Sequence, residues 1–98
     1  MPAYVVANFT ITNAKEYEAY VPAVMPTLIA HGAEVLAADY ESEPLEGDPF
    51  KITVVIKFPS KKAAEKWYYS AEYQDVIDLR TENSVGVIVL ADGLVVPT

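Results

Sequence analysis

The sequence predicts one α+β domain of β-α-β-β-α-β order, with four antiparallel strands and its helices gathered on one sheet face. Three observations predict it. Ala3–Thr12 and Lys51–Phe58 alternate apolar and mixed positions with period two. Segments of helical spacing, each entered through a capping residue, separate the strand-like stretches. The strands carry apolar residues on two faces, and helices packed on one side can cover only one of them.

Ala3–Thr12 opens the chain as a strand. Val5, Ala7, Phe9 and Ile11 form its apolar face, while Tyr4, Val6, Asn8 and Thr10 form a mixed one. Asn13 stops the strand and caps a helix, with Glu16 three residues on in capping-box spacing. The helical pattern runs from Ala14 to about His31, on a stripe of Tyr17, Tyr20, Val21, Val24 and Leu28. Pro22 and Pro26 lie inside it. Each lacks an N–H and crowds the preceding turn, so a bend or break is expected near them. Gly32 falls at the position just past the helix that favours glycine.

Ala33 to about Ser42 reads as a second, weakly patterned strand. Glu43–Pro49, with two prolines and a glycine, reads as a loop. In Lys51–Phe58, Ile52, Val54, Ile56 and Phe58 face one way and Thr53, Val55 and Lys57 the other. Ser60 caps a helix through Trp67 and Tyr69, and Ser70 caps a further short helix to about Glu82. Val85–Ala91 is a last strand, apolar on both faces, followed by a short apolar tail, Leu94-Val95-Val96. The order is the ferredoxin-like one, with the second helical segment split in two. Its uncovered face offers Tyr4, Val6, Val55 and much of Val85–Ala91. A second copy of the same sheet is the simplest cover for such a face, so a homodimer is expected.

Composition narrows the function classes. A chain of 98 residues reads as a single domain over 1–98, burying roughly 65% of its unfolded surface. Its 52% hydrophobic and 21% charged content excludes disorder. A formal net charge of −7 argues against nucleic acid and anionic membranes as partners. With no cysteine there is no disulfide, no thiolate nucleophile and no cysteine metal site, which reads most simply as a cytoplasmic protein. Neither a signal peptide nor a membrane span is recognisable.

No phosphate-cradling loop, nucleophile elbow or paired-histidine spacing occurs. Glu41, Glu43, Glu46 and Asp48 cluster around the long loop, and such a run reads as solvated surface; no metal or other cofactor is expected. His31, the only histidine, lies on the apolar stripe at a helix C-terminus, as an acid/base group or as a packing and capping residue. Arg80, the only arginine, is a fork for a carboxylate or one half of a surface ion pair. Asn8 interrupts the first strand on the face away from the helices, and a ligand or an internal network must satisfy its amide. Trp67, Tyr68, Tyr69 and Tyr73 form a dense aromatic group; Trp67 reads as core, while Tyr68 and Tyr73, like Tyr17 and Tyr20, bring hydroxyls that need partners.

In this order of residues the chain resembles the family catalogued as domain of unknown function 1330, in the dimeric α+β barrel superfamily. The resemblance is carried by Pro2-Ala3-Tyr4-Val5-Val6, Tyr17 with Tyr20, Ala30-His31-Gly32, Leu45-Glu46-Gly47 and Phe58-Pro59-Ser60. It continues through Ala63-Ala64, Trp67-Tyr68, Ser70-Ala71-Glu72-Tyr73 and Leu79-Arg80. It implies a ferredoxin-like protomer and a dimer whose two sheets face each other. Related barrels include cofactor-free monooxygenases, lactone isomerases and stress-responsive proteins. His31, Trp67, Tyr68, Ser70, Tyr73 and Arg80 match the family pattern. The stretch Ala33–Asp39 and Lys51 depart from it, where a basic residue and an arginine are common.

Two functions follow as expectations. One is a cofactor-independent enzyme, monooxygenase- or isomerase-like, acting on a small organic ligand between sheet and helices. His31 would transfer the proton, Asn8 or a tyrosine would steady an enolate-like oxygen, and Arg80 would bind a carboxylate. Asn8, Tyr17, Trp67, Tyr68, Tyr73 and Arg80 are its candidate ligand-binding residues. The other is a non-catalytic binding or assembly homodimer.

Overall fold

The chain folds in the order β1 (Ala3–Ile11), α1 (Ala14–Tyr17), α2 (Tyr20–Ala30), β2 (Glu34–Asp39), β3 (Ile52–Phe58), α3 (Lys61–Tyr68), α4 (Ala71–Gln74), α5 (Ile77–Thr81) and β4 (Ser84–Asp92). The computed structural model describes residues 1–94, so Val95 and Val96 of the expected apolar tail lie outside the described residues. The four strands pair antiparallel in the order β2-β3-β1-β4, the ferredoxin-like sheet that the pattern predicts.

Side chains set three of the helix starts. Asn13 Oδ1 accepts the Glu16 N–H at 3.2 Å, Ser60 Oγ accepts that of Ala63 at 3.0 Å, and Ser70 Oγ accepts that of Tyr73 at 3.2 Å. One expectation is sharpened and one needs correction. The first helical segment breaks at Glu18–Ala19, upstream of both prolines. Pro22 is the third residue of α2, where no intrahelical N–H bond is required, but its ring would meet the carbonyl of Glu18 if the helix ran through. The second segment is in three pieces rather than two, because α4 ends at Gln74 and α5 begins at Ile77.

Strand register fixes the faces. Val5 lies between Ile56 and Leu90, and Ala7 between Val54 and Ile88; these residues face the helices. Tyr20, Val24 and Leu28 of α2, Trp67 of α3 and Tyr73 of α4 close over them. On the other side Val6 lies between Val55 and Val89, with Val87 and Val85 further along β4. No element of the described chain covers this face: Val85, Val87 and Val89 are 54%, 62% and 56% exposed. A single-residue bulge at Leu36 shifts β2 against β3, and β2 is shorter than the pattern suggested.

Two glycines are required by geometry. Gly32 follows α2 with φ 72°, a conformation that side chains rarely adopt. At Gly86 a Cβ would overlap the Asn8 carbonyl and Phe9 across the β1–β4 pair, so glycine alone lets β4 lie this close. Among the described residues no helix is long and apolar enough to cross a membrane.

Candidate ligand-binding site

Between α2 and the sheet lies a cavity of about 130 Å³. Val5, Phe9, Val54, Ile56 and Ile88 form its floor; Tyr17, Tyr20, Val24, Leu28 and Trp67 form its roof. Exposed Val21, Met25, Val35 and Tyr40 form its outer rim, between α2 and the edge strand β2. Among the described residues Arg80 is the one charged residue on its wall. Two larger hollows adjoin it along the β4 edge. One, of about 290 Å³, shares Val5, Trp67 and Ile88 with the cavity and adds Tyr68 and Leu90. The other, of about 320 Å³, shares Ala7, Phe9 and Arg80 and adds Thr81, Ser84 and Gly86. Arg80 therefore stands where the apolar cavity meets the more polar hollow.

The last helical pieces position Arg80. Ser70 caps α4 and turns Tyr73 inward, where its ring is 0% exposed and its centroid lies 4.1 Å from that of Trp67. Seven residues on, the half-buried Arg80 donates Nε–H to the Tyr73 hydroxyl at 3.2 Å. That hydroxyl is also 2.8 Å from the hydroxyl of Tyr20. The chain Arg80–Tyr73–Tyr20 thus ties α5, α4 and α2 together at one end of the cavity.

Burial and these neighbours set the protonation states. Burial acts against the charge of Arg80, but the Tyr73 and Tyr20 hydroxyls outweigh it, and the arginine pKa rises above its ordinary value. No carboxylate is among the groups that act on it. Burial pushes the Tyr17 phenol up to about 12, reinforced by Tyr40 and opposed by Arg80. Burial raises Tyr20 further, with Tyr73 adding to the shift. At neutral pH the wall offers the Arg80 cation and the neutral phenols of Tyr17 and Tyr20, all hydrogen-bond donors. Among the described residues it includes no histidine and no carboxylate, so none of these lining side chains is a base of ordinary strength.

The residues singled out in the sequence divide into three groups. Tyr17, Trp67 and Arg80 line the cavity; Tyr73 stands directly behind Arg80, and Tyr68 lines the adjoining hollow. Asn8 is on the opposite sheet face. Its Nδ2 donates to the carbonyls of Phe50 (2.9 Å) and Ile52 (3.1 Å) and to Thr53 Oγ1 (3.1 Å), and its Oδ1 accepts from the Phe50 N–H at 2.9 Å. The amide that needed partners finds them within the chain and pins the end of the β2–β3 loop. His31 sits at the far end of α2, where Nδ1 donates to the Thr27 carbonyl at 2.9 Å. With a rise of about 1.5 Å per residue, it lies roughly 16 Å along the axis from Tyr20. His31, Asn8 and Arg80 therefore do not converge.

Sequence reasoning missed Thr27 and undervalued Tyr20. Thr27 Oγ1 accepts the indole N–H of Trp67 at 3.0 Å and donates to the Val24 carbonyl at 2.6 Å. The one available signal was a threonine inside the apolar stripe, three residues from Val24 and four from His31. Among the described residues no group of three or more His, Asp and Glu side chains is placed to hold a metal ion.

Fold and cavity together define a ferredoxin-like α+β chain with an apolar space of about 130 Å³ between sheet and helices. The chain belongs to the family described as "Domain of unknown function (DUF1330)", which matches residues 2–94. Among curated proteins, no sequence matches. Solved structures share the fold. One is RPA0582, a protein of unknown function from Rhodopseudomonas palustris, at TM-score 0.76 and 16% identity, covering 95% of this chain and 82% of that one. A second is a putative antibiotic biosynthesis monooxygenase from Caulobacter crescentus CB15, at TM-score 0.65 and 16% identity, covering 95% and 90%. A third is SnoaB, a cofactor-independent oxygenase from Streptomyces nogalater, at TM-score 0.63 and 11% identity, covering 97% and 95%.

Proposed function

We propose that this chain is a homodimeric protein that binds a small, largely apolar molecule in the cavity between α2 and the sheet. The observation that carries the reading is an apolar, ring-sized space with a single cation on its wall. A cavity of about 150 Å³ lined by apolar side chains takes up benzene, so a space of about 130 Å³ suits one aromatic ring or a short branched chain. The adjoining hollows offer room for substituents. Dimerisation is supported by the uncovered valines of β4, for which a second sheet is the self-complementary cover. The lack of cysteine suits a reducing cytoplasm.

A catalytic reading is favoured by the fold shared with SnoaB and with the Caulobacter crescentus monooxygenase. It is cofactor-free oxygenation, and the wall limits it. With no base among the lining side chains, the substrate would have to bind already ionised, as an acidic phenol or a dicarbonyl does. Arg80 and the tyrosine hydroxyls would then hold its oxygen.

Thermal unfolding across a panel of small aromatic and branched metabolites tests the binding reading. A ligand of the folded state raises the melting temperature in proportion to RT ln(1 + [L]/Kd). At least one class should do so and also shift the emission of Trp67, the single tryptophan. A panel that leaves both unchanged contradicts the proposal. Oxygen consumption with any binder found decides between binding alone and oxygenation.

A further inference from the structure

We infer that the ligand of this cavity carries a single carboxylate, received by the two terminal nitrogens of Arg80. The inference rests on the cavity being a ligand site and names the class of ligand. A guanidinium has five N–H donors and no acceptor. Among the described residues Nε–H donates to Tyr73, the one side-chain hydrogen bond the guanidinium makes at full geometry, while the Tyr20 hydroxyl lies close enough to act on it as a weaker acceptor. Nη1 and Nη2 retain access to open space, because no buried side-chain nitrogen or oxygen lacks a partner. A half-buried cation whose neighbours are phenols has lost part of its hydration without gaining a counter-charge. An anion that enters the site therefore gains more there than at a solvated arginine.

Geometry selects the kind of anion. Tyr73 holds the guanidinium by Nε, and the edge formed by Nη1 and Nη2 matches a carboxylate through two parallel hydrogen bonds. Among the described residues Arg80 is the only charged side chain on the wall of either space it lines, and the chain carries a net charge of −7. A monoanion satisfies such a site, whereas a phosphate or dicarboxylate would bring charge with nothing to meet it. The position of Arg80 at the junction sets the orientation. The carboxylate lies toward Thr81 and Ser84, and the apolar body lies among Val5, Ile88 and Trp67.

Benzoate and benzamide, nearly equal in shape and different in charge, test this in the full chain. Binding is followed by Trp67 emission and by calorimetry. Benzoate should bind at least about 10-fold more tightly than benzamide, the scale of a charge-assisted pair of hydrogen bonds. Arg80→Met should bring benzoate down to the level of benzamide and leave benzamide unchanged; Arg80→Lys, which keeps the charge and loses the fork, should fall between. Equal binding of the two by the natural chain, or a benzoate preference that survives in Arg80→Met, overturns the inference and leaves the cavity reading intact. Failure of both compounds to bind overturns the inference, and the wider metabolite panel then decides the cavity reading. Should Arg80→Met not fold, the benzoate-to-benzamide ratio of the natural chain decides alone.

Discussion

Arg80 donates its Nε–H to the hydroxyl of Tyr73, 3.2 Å away, and not to a carboxylate. Of the two sequence readings of Arg80, the surface ion pair is the one this contact displaces. A fully buried phenol orients the cation and leaves its charge uncompensated. Since Tyr73 also meets Tyr20 at 2.8 Å, three helical pieces share one hydroxyl.

Tyr73→Phe should fold, because the ring and its contact with Trp67 remain, and should lose ~1–3 kcal/mol in urea unfolding as the partners of that hydroxyl go unsatisfied. Tyr20→Phe should lose less, since Tyr73 keeps Arg80. The double variant should lose less than the sum of the singles, because both remove the same bond. Full additivity would show that the hydroxyls do not interact.

Trp67 depends on Thr27. In Thr27→Val the indole N–H of a side chain only 1% exposed loses its acceptor. A cost of ~1–3 kcal/mol is expected, together with a blue-shifted emission as the hydrogen bond disappears. Unchanged stability and emission would contradict the bond.

Alkaline pH should unfold the protein through its tyrosines. The phenol pKa of Tyr17 is raised from 10 to about 12, and burial raises Tyr20 further. A raised folded-state pKa means that the unfolded chain releases protons first. The stabilisation is complete below pH 10, the unfolded value, and is lost as pH rises through about 12. Phenolate absorbance should show Tyr17 and Tyr20 ionising late, together with unfolding. Simple titration of all 7 tyrosines near 10 would contradict the buried network.

Val87→Lys puts a charge on the uncovered sheet face, at a residue 62% exposed in the protomer, so the fold itself should tolerate it. In sedimentation the natural chain should run at twice 10.8 kDa and the variant at 10.8 kDa. A natural chain at the single mass contradicts the homodimer.

Strand faces and helix starts were legible because each is written locally. Period two places Val5 and Val6 on opposite sides, and Asn13, Ser60 and Ser70 cap within three residues. The helix breaks were less so, because Pro22 acts on a carbonyl four residues upstream and the break appears where no proline stands. The site was legible in its parts. Periodicity assigned Tyr20 and His31 to one stripe, but only the path of α4 and α5 decides which end of α2 meets Arg80. Asn8 shows the same limit: its partner Phe50 is 42 residues away, at the end of a loop whose course no pattern records.

The central claim is that ligands enter the helix side of the sheet. Intermolecular nuclear Overhauser effects from the ring protons of bound benzoate to assigned methyl groups test it most directly. Contacts to Val5, Val54 and Ile88, with the indole N–H of Trp67 perturbed, are predicted. Contacts confined to Val6, Val55 and Val89 on the opposite face would contradict it.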